Sequence, residues 1–562
     1  MEINQKKIRK YLPYAAFGCA ILWLFIQIYP IIFSVHDDLR NYVLIRRGIV
    51  MSDAVRMAKD GRISHLWNHI LLTLPFLANK VWFYKLIQFA ALFFDLFTLR
   101  LLLKTHIDRR FADLAVVLAV AWACISDQHN LLVAYALCHQ LPFGFACLSL
   151  YHFGNRLHRG SKQETTKSCL FLLLAVMIYE AFAAVLLIML LWAMLRRSRK
   201  PMTLPSQLRR AAGRMLPQLA AVGGYGILYC IWQALFPPVY SGITLNLHEP
   251  FLSFSALTAY SFGNFPLAEI GYLSQQTTIT LTDFLGTLRN PLSWLTAIAA
   301  SALFCITLPR IKLTDDALHN LLWISGCGIF APCLAVACTK KYLEWRSSAV
   351  RAYLPSFYSY LVLVVFLTAA ALRLYRSTQE GSRRKLLRGV MTAAVFGICL
   401  TATAVNAVWK PHFMTLSLRY RNFNQAVSAV LPNLTGTWQL YAPDNAGIHN
   451  SRDYTEDYLK IYNSGRIDYL TDARMLSDKN QILCIRMPEN YAYTVAGNAD
   501  SELRASKLTF RTLVPETFNI TLYDTDGEAV YYENVKNGNI LSLPEGKYFD
   551  LSLRVENTLP HT

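Results

Sequence analysis

Charge is scarce in this sequence: only 16% of its 562 residues are charged, whereas 54% are hydrophobic. Soluble globular proteins carry about 25% charged residues, so the composition argues against a purely soluble protein. Of the twelve cysteines, only Cys484 lies in the polar C-terminal part, which excludes an internal disulfide there. The sequence also lacks Cys-x-x-Cys pairs, a P-loop, a glycine-rich dinucleotide motif and a Ser/His/Asp pattern. Soluble nucleotide chemistry is therefore disfavoured.

Long apolar runs are what the sequence has in abundance. About 20 apolar residues in a helix cross the ~30 Å hydrocarbon core of a bilayer. The segment 168–195 is long for one helix, and its strongly basic flanks predict two short passes. The predicted fold is thus an all-α polytopic membrane bundle of about 11 transmembrane helices. The predicted spans are 11–34, 81–103, 111–126, 131–150, 168–179, 181–195, 215–237, 292–309, 319–338, 353–372 and 390–408.

The basic surplus is confined to the membrane part of the chain. The formal charge is +19, yet from Lys410 onward about 15 basic residues face about 18 acidic ones. A surplus in short loops between apolar helices follows the positive-inside rule, so nucleic acid is not an expected partner. The rule predicts a multi-pass membrane protein with a cytoplasmic N-terminus. An odd number of spans then places the C-terminal part outside the cytoplasm, which for a bacterial inner (plasma) membrane is the periplasm.

The predicted C-terminal domain covers residues 410–562. Phe518–Asp524, 529–533, 539–543 and 548–555 alternate apolar and polar residues, and Asp-Gly, Asn-Gly and Glu-Gly pairs punctuate them. This pattern is typical of strands joined by hairpin turns. We expect a small extracytoplasmic α+β or β-sandwich domain without a catalytic constellation of its own.

The first predicted outer loop, residues 35–80, begins with two adjacent carboxylates, Asp37 and Asp38. Acids at this position suit a general base for a sugar hydroxyl or a metal ligand; the alternative is a pair of solvated acids at a helix end. An amphipathic stretch at 41–60 and a short apolar helix at 65–78 follow. Two such helices lying in the membrane interface form a specific arrangement.

This layout resembles the GT-C superfamily of polytopic glycosyltransferases, and most closely the bacterial O-antigen glucosyltransferases of the Gtr type. The resemblance covers the layout of the predicted transmembrane catalytic domain, residues 1–409, and is sharpest at Asp37, Asp38 and Gly61-Arg62. It implies that one acid of the pair deprotonates an acceptor hydroxyl and the other orients it. It also implies a polyprenyl-phosphate-sugar donor and a glycan or glycolipid acceptor in contact with membrane lipid. No cofactor is expected; a divalent metal held with His36 is the alternative.

Other polar residues in predicted outer segments are candidates for substrate binding. Glu180 is an ionisable group among apolar residues, which in a membrane is costly and points to function. Cations in the segment 339–355 suit the phosphate of a lipid donor; solvated headgroup contacts are the alternative. A lipid-carrier transporter or a polysaccharide polymerase or ligase are the competing functions. The candidate binding residues are Arg40, Arg62, His65, Tyr179, Glu180, Lys340, Lys341, Arg346 and Arg351.

Overall fold

The computed structural model describes residues 2–196, 203–246, 248–276, 286, 289–347 and 352–430, and shorter stretches beyond. These stretches are 437–441, 452–462, 466–470, 481–484, 502–503, 507–509, 518–524, 529–536, 539–542 and 549–557. The chain divides into two compact units. The first comprises Met1–Asn41 and Ile49–Phe413, and the second comprises Tyr42–Gly48 and Met414–Thr562.

Helices dominate the described part of the first unit. In chain order they are α1 (Glu2–Ile28), α2 (His36–Arg46), α3 (Val50–Lys59), α4 (His65–Thr73), α5 (Val81–His106), α6 (Arg109–Ala121), α7 (Leu141–Arg159), α8 (Lys162–Ile178), α9 (Val185–Leu195), α10 (Leu204–Leu235), α11 (Pro250–Phe262), α12 (Pro266–Gln276), α13 (Pro291–Thr307), α14 (Asp315–Leu334), α15 (Lys340–Ser347), α16 (Leu354–Ser377) and α17 (Ser382–Val430). The last of these continues into the second unit.

Seven helices in the described part of the chain are long and apolar enough to cross a membrane. They are Tyr11–Ile28, Val81–His106, Leu204–Leu235, Pro291–Arg310, Asp315–Leu334, Leu354–Ser377 and Ser382–Lys410. The chain is therefore a multi-pass membrane protein, as its composition predicts. The helices α6, α7, α8 and α9 do not reach the same length and apolarity, and the total of about 11 spans stays a prediction.

The prediction of a span over residues 131–150 is wrong. Residues 122–140 form irregular, buried turns, and α7 begins only at Leu141, with Pro142 at its N-terminus. Side-chain amides pair with backbone groups that no helix or strand satisfies. Asn130 Nδ2 donates to the carbonyl of Cys124 at 2.9 Å, and Asn406 Oδ1 accepts from the amide of Ile125 at 2.8 Å. Irregular backbone that is buried in protein is tolerated where its polar groups are paired in this way. We call this segment the buried loop.

The second unit carries the strands. They are β1 (Thr437–Tyr441), β2 (Arg466–Leu470), β3 (Gln481–Cys484), β4 (Glu502–Leu503), β5 (Lys507–Thr509), β6 (Phe518–Asp524), β7 (Ala529–Val535), β8 (Ile540–Ser542) and β9 (Phe549–Asn557), with the helix α18 (Arg452–Leu459) after β1. One sheet has the order β2-β1-β3-β5-β8, in which only β8 pairs antiparallel. The other is antiparallel with the order β4-β9-β6-β7. The alternating sequence segments predicted as strands lie in β6 to β9.

Candidate functional site

Asp38 is buried at the start of α2, with 1% of its surface exposed. Its Oδ2 accepts hydrogen bonds from Tyr84 Oη at 3.0 Å and from the backbone amide of Tyr135 at 3.2 Å. Burial raises the pKa of Asp38 to about 7, against the opposing effect of these two hydrogen bonds. Asp38 therefore fastens the first loop to α5 and to the buried loop.

Asp37 is half-buried and points its carboxylate at the same partner residue. Its Oδ2 accepts a hydrogen bond from Tyr135 Oη at 2.7 Å. Tyr135 has a φ of 51°, in the left-handed region that costs a residue with a side chain free energy. The two neighbouring aspartates thus hold one strained tyrosine, Asp38 by its amide and Asp37 by its hydroxyl. The structure distinguishes the acids: Asp38 is enclosed, and Asp37 is the accessible one.

The raised pKa of Asp38 predicts a pH dependence of stability. An unfolded aspartate has a pKa of about 3.9, so between about pH 4 and pH 7 the folded protein holds a proton that the unfolded chain has lost. Stability should fall as the pH rises through this window and level off above it. The amide side chain in the variant Asp38→Asn does not titrate. The melting temperature of this variant, relative to that of the wild type, should therefore be higher at pH 8 than at pH 5. A difference that is the same at both pH values would contradict the assignment.

Aromatic and histidine side chains surround the acidic pair. The His129 ring stacks on Tyr135 and on Trp345, with centroids 6.1 and 5.4 Å apart. On the other side, His139 lies edge-on to Tyr135 and to Tyr179, at 5.1 and 5.5 Å. Burial and the Arg62 charge lower the pKa of His139 to about 4, against the effect of Asp37, which keeps this imidazole neutral. The walls beside Asp37 are therefore flat rings and neutral polar groups.

Two cations flank the ring of Tyr240. Arg62 Cζ lies 4.5 Å from the ring centroid, and Lys341 Nζ lies at the same distance and donates to Tyr240 Oη at 2.8 Å. Lys341 also lies 4.8 Å from the Trp345 ring. The side chain of Lys341 is half-buried, and no carboxylate pairs with it among the described residues. Two cations thus lie within cation–π distance of one tyrosine ring.

Tyrosine hydroxyls connect this cation pair to the acidic pair. Tyr342 Oη lies 3.2 Å from Tyr240 Oη and donates to Tyr353 Oη at 2.9 Å. The charge of Asp37 acts on Tyr353 and on His139, and the charge of Arg62 acts on His139 as well. The first loop, the buried loop, the segment before α11 and α15 therefore contribute side chains to one neighbourhood, which contains an acid and two cations.

Tyr179 and Glu180 lie at the turn between α8 and α9, beside the first loop. Ser64 donates a hydrogen bond to Glu180, and the charge of Arg62 acts on it. The hydroxyl of Tyr179 is buried without a hydrogen-bond partner among the described residues. A buried hydroxyl without a partner in a native structure calls for an explanation, and a ligand that accepts from it is one.

A second polar chain runs through the helices of the first loop. Asp53 Oδ2 accepts from Arg40 Nη2 at 2.6 Å and lies 2.9 Å from His69 Nε2, and Arg56 binds its other oxygen. His69 Nδ1 lies 3.0 Å from His65 Nδ1. Because Asp53 accepts from Nε2 of His69, Nδ1 of His69 accepts from His65. His65 then donates through Nδ1, and its Nε2 is the unprotonated nitrogen that can accept a hydrogen bond.

Burial opposes the charge on Asp53, but its hydrogen bonds with His69 and Arg56 and the charge of Arg40 outweigh that effect. Together they hold the pKa of Asp53 well below its usual range. His65 is buried, and burial together with the Arg62 charge lowers its pKa to about 2, so it is neutral. The relay Asp53–His69–His65 therefore presents a neutral imidazole on the side of Arg62 and His139.

Asp53→Asn should destabilise the first loop, because it removes the charge that three side chains share. Leaving the buried donor His69 Nε2 without its charged acceptor costs about 1–3 kcal/mol, so the melting temperature at pH 7 should fall by a few degrees. Ionised Asp53 stabilises the fold above about pH 4, and this contribution is lost as the pH falls further. The difference from the wild type should therefore shrink in acid. The matched control is Asp60→Asn at the end of α3; an equal effect of both variants would contradict the relay.

The structure brings most of the sequence-predicted residues together, but not all. Asp37, Arg62, Tyr179, Glu180 and Lys341 meet at the site. Arg40 is engaged by Asp53, and Lys340 is exposed and contacts its surroundings through its backbone amide, which donates to Thr244. The site residues that sequence reasoning did not single out are Asp53, Tyr84, His129, Tyr135, His139 and Tyr353.

Three further candidates do not join the site. Arg346 lies on α15 near Tyr260, and its Nε is buried without an acceptor among the described residues. Arg351 and the side chain of His36 lie outside the described residues. Among the described residues, no group of three His, Cys, Asp or Glu side chains is arranged to hold a metal ion.

Comparison with known proteins finds similarity only to solved structures. No family model and no curated protein matches the chain. ArnT from Cupriavidus metallidurans in the apo state is 13% identical over 92% of this chain and 97% of its own, with a TM-score of 0.37. Its structure bound to undecaprenyl phosphate is 14% identical with a TM-score of 0.36. The oligosaccharyltransferase AglB from Archaeoglobus fulgidus, in complex with an inhibitory peptide and a dolichol-phosphate, is 11% identical over 98% of this chain and 77% of its own, with a TM-score of 0.33. TM-scores this low do not establish a shared fold.

Proposed function

We propose that this protein is a membrane glycosyltransferase that moves a sugar from a polyprenyl-phosphate-linked donor to a glycan or glycolipid acceptor on the outer face of the membrane. The observation that carries the proposal is the pairing of an accessible carboxylate, Asp37, with two cations, Arg62 and Lys341, across one aromatic site. Glycosyl transfer from a phosphate needs these two charges: one takes a proton from the nucleophile, and the other receives the charge of the leaving group.

In the proposed reaction, Asp37 accepts the proton of an acceptor hydroxyl while that oxygen attacks the anomeric carbon. The bond between the anomeric carbon and the phosphate oxygen breaks, and the polyprenyl phosphate leaves with the electron pair. Arg62 and Lys341 stabilise the negative charge on the leaving phosphate. Attack opposite to the leaving group inverts the anomeric configuration.

The surrounding residues fit supporting roles. Tyr135 orients Asp37, and Asp38 fixes Tyr135 through its backbone amide. Neutral His139 and the hydroxyl of Tyr179 offer hydrogen bonds without charge, as sugar hydroxyls require. Trp345 and Tyr353 provide flat apolar faces for a sugar ring. His65, at the end of its relay, accepts a hydrogen bond from an acceptor hydroxyl. The O-antigen as acceptor, in lipopolysaccharide modification, is the specific form of the proposal.

The test is a transfer assay on the purified protein in detergent, with radiolabelled sugars on polyprenyl phosphate and a lysate-derived glycolipid acceptor. Label should move to the acceptor fraction and depend on the polyprenyl phosphate. Chelation by EDTA tests the metal alternative, with no loss of transfer expected. If the folded protein transferred sugar from no donor, the glycosyltransferase proposal would be contradicted and a lipid-carrier transporter would be favoured.

We also propose that the N-terminus is cytoplasmic and that the C-terminal domain lies in the periplasm. The basic residues of the predicted cytoplasmic loops support this orientation. A periplasmically active reporter fused after Thr562 should be active in cells. Activity of a cytoplasm-specific reporter at that position would contradict the orientation.

A further inference from the structure

An arginine cluster lies at the end of the helices away from Asp37. The helices α5, α7 and α9 begin beside the site, near Tyr84, His139 and Glu180, and end at His106, Arg159 and Leu195. The helix α10 returns from Leu204 toward Tyr225 and Tyr229, on which the charge of Glu180 acts. The chain from Arg196 to Arg214 therefore lies at the opposite end, with residues 197–202 outside the described part.

The cluster consists of Arg196, Arg210 and Arg214. Arg210 Nη2 donates to the carbonyl of Arg196 at 2.9 Å, and Arg214 lies within reach of the charges of both. Each is half-buried. Arg196 Nη1, Arg210 Nε and Arg214 Nη1 are shielded from solvent and have no acceptor among the described residues.

Three shielded guanidinium nitrogens without acceptors are costly, because an N–H group that is shielded from water needs a hydrogen-bond acceptor. A single multi-oxygen anion satisfies several such donors at once, and phosphate is the group that arginine binds best in this way. The cluster is therefore built for a phosphate group.

An apolar cavity of about 230 Å³ includes in its lining Trp192, which lies four residues before Arg196, and His158. Its walls include Leu99, Ile188 and Val362, and Trp192 and His158 lie at the arginine end, where the charge of Arg196 acts on His158. A free phosphate ion would leave such an apolar cavity unfilled. A lipid carries a hydrocarbon chain on its phosphate, and that chain can fill the cavity. Basic pockets between transmembrane helices bind anionic lipid head groups in this manner.

We propose that Arg196, Arg210 and Arg214 bind the phosphate of an anionic membrane lipid whose chain enters the apolar cavity beside Trp192. This site is separate from the site of the proposed function and does not depend on it. The lipid is held at the opposite end of the helices, so it is a resident or regulatory lipid and not the sugar donor at Asp37.

The test is a lipid titration of the delipidated full-length protein in detergent. The probe is phosphatidylglycerol brominated on its chains, which quenches tryptophan fluorescence on contact. Quenching that disappears in Trp192→Phe reports the cavity. The variant Arg196→Gln/Arg210→Gln/Arg214→Gln should bind at least about tenfold more weakly, since each basic residue near an anionic lipid contributes a few-fold.

The matched control removes three exposed cations from the same end of the helices, Lys104→Gln/Lys162→Gln/Arg209→Gln, and should bind like the wild type. Equal binding by the arginine variant and this control would overturn the proposal. A comparison that needs no arginine variant uses the wild type alone: brominated phosphatidylcholine should quench Trp192 at least tenfold more weakly than phosphatidylglycerol. Equal quenching, or full displacement by inorganic phosphate alone, would also overturn the lipid assignment.

Discussion

Asp37→Asn should reduce sugar transfer by about 10²- to 10⁴-fold, the range that a positioned general base contributes. The amide keeps the size of the side chain and an oxygen that accepts from Tyr135, so the fold should persist, but it cannot take the proton of the acceptor hydroxyl. The loss should appear in kcat, with little change in the KM for the donor. Initial rates across a series of donor concentrations measure both.

Asp38→Asn is the informative comparison, because it replaces one carboxylate oxygen of the neighbouring acid by an amide nitrogen, as Asp37→Asn does. An amide oxygen at position 38 still accepts from Tyr84 and from the amide of Tyr135, so this variant should lose far less activity. If instead Asp38→Asn abolished transfer and Asp37→Asn retained it, the roles of the two acids would be reversed. If both variants kept wild-type rates, neither acid would be the base.

Lys341→Ala should lower kcat/KM for the lipid donor by about 10²- to 10³-fold, as the removal of one group that stabilises transition-state charge does. Its ammonium contacts the rings of Tyr240 and Trp345, and Arg62 contacts the same Tyr240 ring. In the proposed mechanism Lys341 acts on the leaving phosphate. Lys340→Ala removes the same charge from the preceding position, where the side chain is exposed, and should leave the kinetics unchanged.

The combined variant Arg62→Ala/Lys341→Ala tests whether the two cations act on one phosphate. Groups that bind the same ligand show losses that do not add, whereas independent sites add. A double variant that loses less than the product of the two single losses fits a shared phosphate. Equal kinetics for Lys340→Ala and Lys341→Ala would instead show that α15 only provides positive charge near the membrane surface.

The sequence predicts the membrane character and the acidic pair because both are local signals. A run of apolar residues reports a span by itself, and two carboxylates at the end of a span are visible without the fold. The burial of Asp38 and the accessibility of Asp37 are different: they depend on Tyr84 and Tyr135, which lie 46 and 97 residues away. The neighbouring residues in the sequence do not show which of the two acids is buried and which is accessible.

The buried loop shows most clearly why the rest could not be predicted. Residues 131–140 are apolar enough to read as part of a span, and the polar groups that stabilise their irregular backbone include Asn406, which is 281 residues from Ile125. The sequence therefore predicts Tyr135 and His139 within a membrane helix, whereas the structure has them in irregular turns before α7. The sequence also does not show which of the adjacent residues Lys340 and Lys341 contacts Tyr240, because this depends on the direction of α15 in the fold.

The spread of the site along the chain sets an order for its construction during biosynthesis. The acidic half needs residues 37, 38, 84 and 135, all within the first quarter of the chain. The cationic half waits for Tyr240 and then for Lys341, about 200 residues after Tyr135, which at about 5–20 residues per second is some 10–40 s of synthesis. A nascent chain thus has Asp37 and Arg62 in place well before Tyr240 and Lys341. Under the proposed mechanism, a product truncated before Lys341 keeps the acid and one cation but lacks the second cation, and should transfer no sugar.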